Sequence, residues 1–350
     1  MTKVAILLSG LRFGGAERVS LNLAKAFKEK GYLVDILVLK KTGELIQSAE
    51  NDFNLINLEC DKTYKLPIKL LKYILKESPK VLISTFWKLS LISCLIRVFK
   101  PSMYLFCVEH TTPSKAIFIP TYLFFITSSL FYQLSSKVIC VSTGVLNDVK
   151  KNSVCLKRKL SLIHNPVYPP RTTSFSNNKQ KTKLLWCGRL DDPKNPELMI
   201  NSIDLIDKNL GLSLTIIGDG PQMNSLKKLT KEKRLDDSII FEGYVEDVYS
   251  KISNYDILIL TSDREGLPTV LIEALYSGLY VISTDCSLGV HDIIQDGVNG
   301  MIVPCGDKLL LKNAIIESIG KKCDGSFQSN TAKKFLPEFV IEEYISLMSS

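Results

Sequence analysis

The sequence predicts an α/β protein made of two doubly wound, mostly parallel sheets. Short apolar runs alternate with helical patterns along the whole chain, and one Pro-, Ser- and Asn-rich stretch, residues 164–183, interrupts the alternation midway. At 350 residues the chain also exceeds one ordinary core and fits two domains of usual size.

The first set of strand-length runs is Val4 to Leu8, Leu33 to Leu39, Val81 to Ser84, Met103 to Val108 and Val138 to Val141. The first of these is too short for a signal peptide and turns directly into a glycine-rich loop, so it reads as the opening strand. After the interruption the pattern restarts with Leu184 to Cys187, Leu214 to Gly218, Ile239 to Glu242, Ile257 to Thr261 and Val281 to Thr284. Residues 1–168 are therefore expected as one domain and residues 169–334 as a second. The closing FLPEFVIEEYISLMSS, about residues 335–350, spaces its apolar residues as a helix.

Open α/β sheets bind ligands outside the carboxyl ends of their strands, so the informative residues are those just after the runs. The first run leads to Gly14 and Gly15, which permit close backbone approach, and the fourth to Glu109-His110-Thr111. Ser142, after the fifth, is expected to cap a helix. In the second half Gly188, Arg189 and Lys194 follow the first run, IIGDGP the second, and FEGYVED, with Tyr244 and Val245, the third. The fourth leads into SDREGLPTVLIEA, where Gly266 and Leu267 precede a helix expected to begin at Pro268.

At that helix start the N–H groups of Thr269 and Val270 lack intrahelical partners and lie at the positive end of the helix dipole, which makes an anion site. Glu265 just before it and Glu273 eight positions on cannot bind a phosphate. They can accept hydrogen bonds from hydroxyls on either side of one, which is the layout of a hexose, a diphosphate and a ribose. Each residue alone has an ordinary explanation: a glycine turn, a structural histidine, a solvated loop of charges, a helix-entry acid.

Together these segments, spread over nearly the full chain, resemble the retaining glycosyltransferases of the GT-B fold, specifically family four. The resemblance implies two Rossmann-like domains facing a cleft, with the terminal helix crossing back to the first. By the same resemblance Glu265 contacts the transferred sugar, Glu273 the ribose and His110 the donor sugar. Arg189 and Lys194, beside Gly188, reach the diphosphate, and the Gly14–Gly15 loop lies against the donor phosphates and the acceptor. Backbone groups near Tyr244 and Val245 meet the base, and Asn165-Pro166 matches a hinge motif. The implied reaction moves a hexosyl or N-acetylhexosaminyl unit from a nucleotide diphosphate sugar. A uridine diphosphate sugar is favoured, and guanosine diphosphate mannose comes next. The Lys-, Asn- and Ile-rich composition resembles enzymes of bacterial O-antigen, capsule and exopolysaccharide synthesis, which implies a lipid-linked saccharide acceptor.

Transfer leaves negative charge on the departing diphosphate, and its stabilisation is the main requirement. Many transferases hold a metal for this with Asp-x-Asp. The chain contains no Asp-x-Asp, whereas Arg189, Lys194 and the helix start supply three positive elements, so a reaction without metal or cofactor is expected. A dinucleotide-dependent oxidoreductase is disfavoured because no G-x-G-x-x-G follows the first run. The competing readings are another GT-B enzyme, such as a sugar-nucleotide epimerase, and a non-catalytic nucleotide-sugar or membrane-binding relative.

With 45% hydrophobic and 23% charged residues the composition is that of an ordered protein. Nine scattered cysteines without a C-x-x-C pair read as reduced thiols of a cytosolic protein. Charge is uneven. Residues 1–170 hold 24 Lys and Arg against 11 Asp and Glu, and residues 171–350 hold 20 against 25. No nucleic-acid motif accompanies the basic half, so an anionic membrane surface is the expected partner, with the protein peripheral on the inner face of the cytoplasmic membrane. Leu66 to Lys76 reads as an interfacial amphipathic helix with Lys65, Lys69, Lys72 and Lys76 along it, and Ala116 to Leu134 as an uncharged aromatic-rich segment that stops short of spanning. The competing reading of the pair is a buried core helix plus a solvated lysine face.

Overall fold

The computed structural model describes residues 1–12, 14–112, 114, 120–155, 157–170, 181–245, 247–323 and 331–349. They form two units, Met1–Val167 with Lys334–Ser350, and Tyr168–Lys333.

The first unit winds β1 (Lys3–Leu8), α1 (Gly15–Glu29), β2 (Leu33–Val38), α2 (Ile46–Asp52), β3 (Asn54–Asn57), α3 (Leu66–Glu77) and β4 (Val81–Thr85). It continues with α4 (Trp87–Arg97), β5 (Tyr104–Glu109), α5 (Thr121–Phe131), β6 (Lys137–Cys140), α6 (Thr143–Lys151) and β7 (Leu160–Leu162). All pairs are parallel, in the order β3-β2-β1-β4-β5-β6-β7. Helices cover both faces of such a sheet, so its central strands bury both sides, and Val4 to Leu8 and Val81 to Ile83 are without exposure. Winding reverses between β1 and β4, which places a crevice outside the carboxyl ends of those strands. Right-handed crossovers put α1 and α2 on one face and α3 to α6 on the other, with α4 packed between α3 and α5.

The second unit repeats the plan with β8 (Thr182–Cys187), α7 (Pro196–Ile203), β9 (Leu212–Ile217), α8 (Met223–Glu232), β10 (Ile239–Gly243) and α9 (Tyr249–Ile252). β11 (Ile257–Leu260), α10 (Thr269–Tyr276), β12 (Tyr280–Thr284), α11 (Leu288–His291), β13 (Gly300–Val303) and α12 (Lys308–Glu317) follow. The sheet order is β10-β9-β8-β11-β12-β13, so the reversal falls between β8 and β11. Its core is built from Leu184, Trp186, Leu214, Ile216, Ile257 and Ile259 on the strands, closed by helical residues such as Met199 and Leu311.

The last helix, α13 (Pro337–Ser346), packs on α1 in the first unit. Buried Tyr344 meets Phe27 and Phe106 edge-on at 6.0 and 5.9 Å, and Val167 N donates to Phe335 O at 2.8 Å. Of the interruption, residues 171–180 lie outside the described residues.

Two local expectations are corrected. Helix α10 begins at Thr269, and Pro268 is its extended cap instead of its first residue. Helix α3 is no free interfacial helix: Leu66, Leu70, Tyr73 and Ile74 are buried, because the crossover from β3 to β4 must lay an apolar stripe on the sheet. Lys65, Lys69, Lys72 and Lys76 are exposed on its outer side. Of the aromatic-rich segment, residues 116–119 lie outside the described residues, and the rest gives the short α5 and a turn through Tyr132–Leu134. Among the described residues no helix is long and apolar enough to cross a membrane.

Candidate active site

In the second unit the site is assembled where β8 and β11 lie side by side. Trp186, buried in β8, donates from Nε1 to Thr261 Oγ1 at 2.9 Å, and Thr261 Oγ1 donates to the Lys194 carbonyl at 2.9 Å. Asn195 takes a left-handed backbone at φ 46°, which asparagine tolerates better than most residues. Its Oδ1 accepts from Leu198 N at 3.2 Å, capping α7, while its Nδ2 donates to Asp263 Oδ1 at 3.2 Å. Asp263 N in turn donates to Pro193 O at 2.9 Å. The loop after β8 and the loop after β11 are thereby tied together.

The tie brings Lys194 and Glu265 into contact. Lys194 Nζ donates to Glu265 Oε1 at 2.5 Å, and Ser262 Oγ donates to the same oxygen at 2.7 Å. Glu265 Oε2 has no partner among the described residues, although the side chain is only 14% exposed. Burial on its own would lower the Lys194 pKa, but Glu265, and behind it Asp191, outweigh burial and hold the ammonium above its ordinary value. Lys194 is therefore a permanent cation that aligns the carboxylate, leaving one oxygen to accept from a hydroxyl.

Arg189 extends into solvent, steadied by Asp191 Oδ2 at 3.0 Å from its Nε. The turn that carries it needs close backbone packing. Gly218 sits at φ +141°, and a Cβ there would lie 1.8 Å from Gly188 O, so only glycine fits. The cap of α10 has no side-chain hydrogen bond and its first turn has no acid, so no carboxylate of that turn competes for the amide groups at Thr269 and Val270. Gly266, Leu267 and Pro268 are buried beneath that start. Glu273 is buried one turn into α10, contrary to the solvated position usual for a helical glutamate. Tyr244 is exposed just past β10, where a register shift between Phe241 and Gly243 turns the strand end, and Val245 beside it is partly buried.

In the first unit a pocket of about 260 Å³ lies at the β1/β4 reversal, lined among others by Ser9, Phe86, Trp87, Glu109, His110 and Thr111. His110 Nε2 is buried without a hydrogen-bond partner, and burial pushes the imidazole pKa down to about 4, so the ring is neutral. Glu109, at the end of β5, accepts from Tyr132 Oη; burial lifts its carboxyl to about 7 although the Tyr132 bond opposes the rise. Phe86 closes the wall with a backbone at φ 66°, ψ 139°, a strained region for a side-chain-bearing residue. Gly14 caps α1 with extended backbone, and a Cβ on Gly15 would meet nothing within 4 Å, so no described part of the protein requires glycine at position 15. Asn165 is buried in the segment after β7.

Ser262, Asn195, Asp263 and the Glu109–Tyr132 pair were not singled out from the sequence as a working set. Ser262 left a legible trace, a hydroxyl three residues before the first glutamate of the motif, and Glu109 stood at the end of the fourth run without its tyrosine partner.

Residues 13–171 match the model of Glycosyltransferase Family 4, and residues 171–333 that of Glycosyl transferases group 1. A Campylobacter jejuni α-1,4-N-acetyl-D-galactosaminyltransferase, named for a diphospho-undecaprenol-linked substrate, is 29% identical, covering 100% of this chain and 99% of the relative. The Escherichia coli O-antigen biosynthesis glycosyltransferase WbnH is 30% identical over 65% of this chain and 63% of its own. The crystal structure of Anabaena HepE in complex with UDP and glucose superposes with a TM-score of 0.84 at 16% identity, covering 100% of both chains.

Proposed function

The chain belongs to the GT-B glycosyltransferases of family 4, and we propose that it moves a hexosyl or N-acetylhexosaminyl unit from a UDP-sugar to a lipid-linked saccharide in bacterial surface-polysaccharide synthesis. The observation that carries this reading is the Lys194–Glu265 pair beside the uncapped start of α10. In it a carboxylate oriented by a cation has one oxygen left for a sugar hydroxyl, next to amides suited to an anion.

In the proposed reaction the bond from the anomeric carbon to the diphosphate oxygen breaks as the acceptor hydroxyl oxygen bonds that carbon, and the hydroxyl proton passes to the departing diphosphate. Arg189, Lys194 and the α10 amides hold the charge that accumulates on the departing diphosphate, so no metal is needed. Glu265 orients the sugar, Glu273 accepts from the ribose, and backbone groups near Tyr244 and Val245 meet the base. Neutral His110 offers its free Nε2 to a sugar hydroxyl. Configuration is retained through attack on the face from which the diphosphate leaves, an assignment that rests on the family resemblance. The relatives named for undecaprenol-linked and O-antigen substrates support a lipid-linked acceptor, and with it a peripheral position on the inner face of the cytoplasmic membrane.

The test incubates the full-length chain with UDP- and GDP-sugars and undecaprenyl-diphosphate oligosaccharides, reading products by mass spectrometry and NMR. One donor should be consumed to give an α-linked product, with turnover unchanged by a chelator. Epimerised nucleotide sugar, or donor binding without transfer, would overturn the reading. Activity that a chelator abolishes and magnesium restores would overturn metal independence, and a β-linked product from an α-linked donor would overturn retention.

A further inference from the structure

Strand β5 ends at Glu109, and the loop that follows carries His110 and Thr111 to the wall of the first-unit pocket. The imidazole is not tied down at Nε2, which is buried without a hydrogen-bond partner, and its ring meets Phe86 at 6.1 Å between centroids. Its direction therefore follows from the backbone that carries it. On one side that backbone is fixed by Glu109, which is in register with Cys140 of β6 and accepts from Tyr132 Oη.

On the other side the backbone is held by a carboxylate from a neighbouring helix. Asp148, in α6, accepts from Ser114 N at 2.9 Å through Oδ2 and from Ser114 Oγ through Oδ1. Asn152 Nδ2 donates to the same Oδ1 at 2.9 Å, so the carboxylate is oriented from its own helix while it holds the loop. Helix α6 follows β6, the sheet neighbour of β5, which brings Asp148 beside the loop. Four residues, 110–113, separate the two fixed points, and so short a stretch keeps few conformations once both its ends are tied.

Asp148 is unfavourable for the helix that bears it. Aspartate is a poor helix former, and a carboxylate toward the carboxyl end of a helix faces the negative end of its dipole. The packing of α6 on the sheet comes from Val145 and Val149, which are fully buried. What Asp148 contributes lies outside its own helix, in the two bonds to Ser114.

Resting on the role of His110 proposed above, we infer that Asp148 is a positioning residue for transfer: through Ser114 it fixes the far end of the loop after β5 and so aims His110 Nε2 into the pocket. It acts through the loop and not on the substrate. Its shape matters more than its charge, because an amide in its place still accepts from Ser114 N and donates to Ser114 Oγ.

Carbethoxylation of the full-length chain by diethyl pyrocarbonate near neutral pH, mapped by mass spectrometry, reads the loop without donor or acceptor. The chain has three histidines, so His164 and His291 serve as internal controls. Asp148→Ala should raise the His110 modification rate at least about fivefold and leave the other two within about twofold, because a freed loop opens locally and lets the buried Nε2 meet solvent. The same variant should lower transfer turnover by about tenfold, and Asp148→Asn should recover most of both changes. Val149→Ala weakens the same helix without touching Ser114. It should lower the melting temperature and leave His110 reactivity and turnover as they are in the unaltered chain. An unchanged His110 rate or unchanged turnover in Asp148→Ala overturns the assignment. So does a rate that rises equally in Val149→Ala, or an Asp148→Asn as impaired as Asp148→Ala, because the effect would then be one of helix stability or of charge. Absence of transfer by the unaltered chain fails the proposed function instead, and the modification rates alone then decide whether Asp148 holds His110 in place.

Discussion

At the β8/β11 reversal of the second unit, charged and polar side chains from two loops are joined to one another: Lys194 to Glu265, Ser262 to Glu265, Asn195 to Asp263. At the β1/β4 reversal of the first unit the same topological position is a pocket walled by Phe86 and Trp87, with a neutral His110 lacking a partner at Nε2 and Glu109 held by Tyr132. The two sheets are wound alike, so topology fixes where a ligand binds and leaves its chemistry to the loop residues. A fixed cation and open helix amides suit a diphosphate. Apolar walls with few polar atoms suit the faces and hydroxyls of a saccharide.

The largest expected effect comes from breaking the charged side of this comparison. Glu265→Ala should lower transfer turnover by about 10²–10³-fold, the range seen when one preorganised polar group is removed from a reacting centre. Folding should be nearly unaffected, since Lys194 is partly solvent-exposed and can be hydrated once its partner is gone. Glu265→Gln should recover only part of the loss, because the amide accepts from a hydroxyl but no longer neutralises Lys194. Steady-state kinetics beside a thermal melt checks all three statements. Near-normal turnover in Glu265→Ala would remove the carboxylate from the site and leave the two reversals chemically alike.

The central strands were legible because a strand buried on both faces must be a continuous apolar run, as at Val4 to Leu8 and Ile257 to Leu260. Strands β3, β7 and β13 gave no such signal. They are short edges with sequences NLIN, LSL and GMIV and partial burial, so their pairing is fixed by the neighbouring strand. The site divides along the same line. Glu265, Arg189 and Lys194 stand in motif spacing, but the Lys194–Glu265 contact joins residues 71 positions apart and depends on the Thr261 and Asn195 bonds, which no local pattern reports. Helix α3 shows the converse failure. Its amphipathic period was legible, but a core-facing stripe and a membrane-facing stripe read the same until the sheet supplies a partner.

The next effect separates the two reversals by pH. Glu109 has its pKa raised from 4.5 to about 7, so the folded state holds this proton more tightly, and stability is lost as pH rises from about 4.5 to 7. His110 has its pKa lowered from 6.5 to about 4, so stability is lost as pH falls through that window. Each contributes about 3 kcal/mol in full, and over their shared range the slopes oppose and nearly cancel. Glu109→Gln should unmask the histidine: relative to the unaltered chain, its stability should climb with pH from 4 to 7. His110→Gln should show the reverse slope. Denaturant titrations from pH 4 to 8.5 provide the difference curves. A flat difference for both variants would mean that the first pocket is wetter than its burial indicates. Lys194, held above its ordinary pKa, keeps its charge throughout this range, so its replacement should add no slope between pH 4 and 8.5.

The smallest expected effect concerns Asn195, which has two functions that substitution can separate. It caps α7 through Oδ1 and ties the loop of Lys194 to the loop of Glu265 through Nδ2, from a left-handed backbone. Asn195→Ala loses the cap and the polar side chain through which asparagine tolerates a left-handed backbone, so it should cost roughly 2 kcal/mol of stability. Asn195→Gly tolerates the backbone and should cost only a few tenths of a kcal/mol. Both lose the Nδ2 bond to Asp263. If that bond positions Lys194 and Glu265, the two variants should share a turnover loss on the order of tenfold despite their different melting points. Turnover that instead follows stability, with Asn195→Gly close to the unaltered chain, would make Asn195 a helix cap and no more. The charged reversal would then owe its geometry to Thr261 and the Pro193 carbonyl, and Thr261→Val should carry the loss that Asn195→Gly does not.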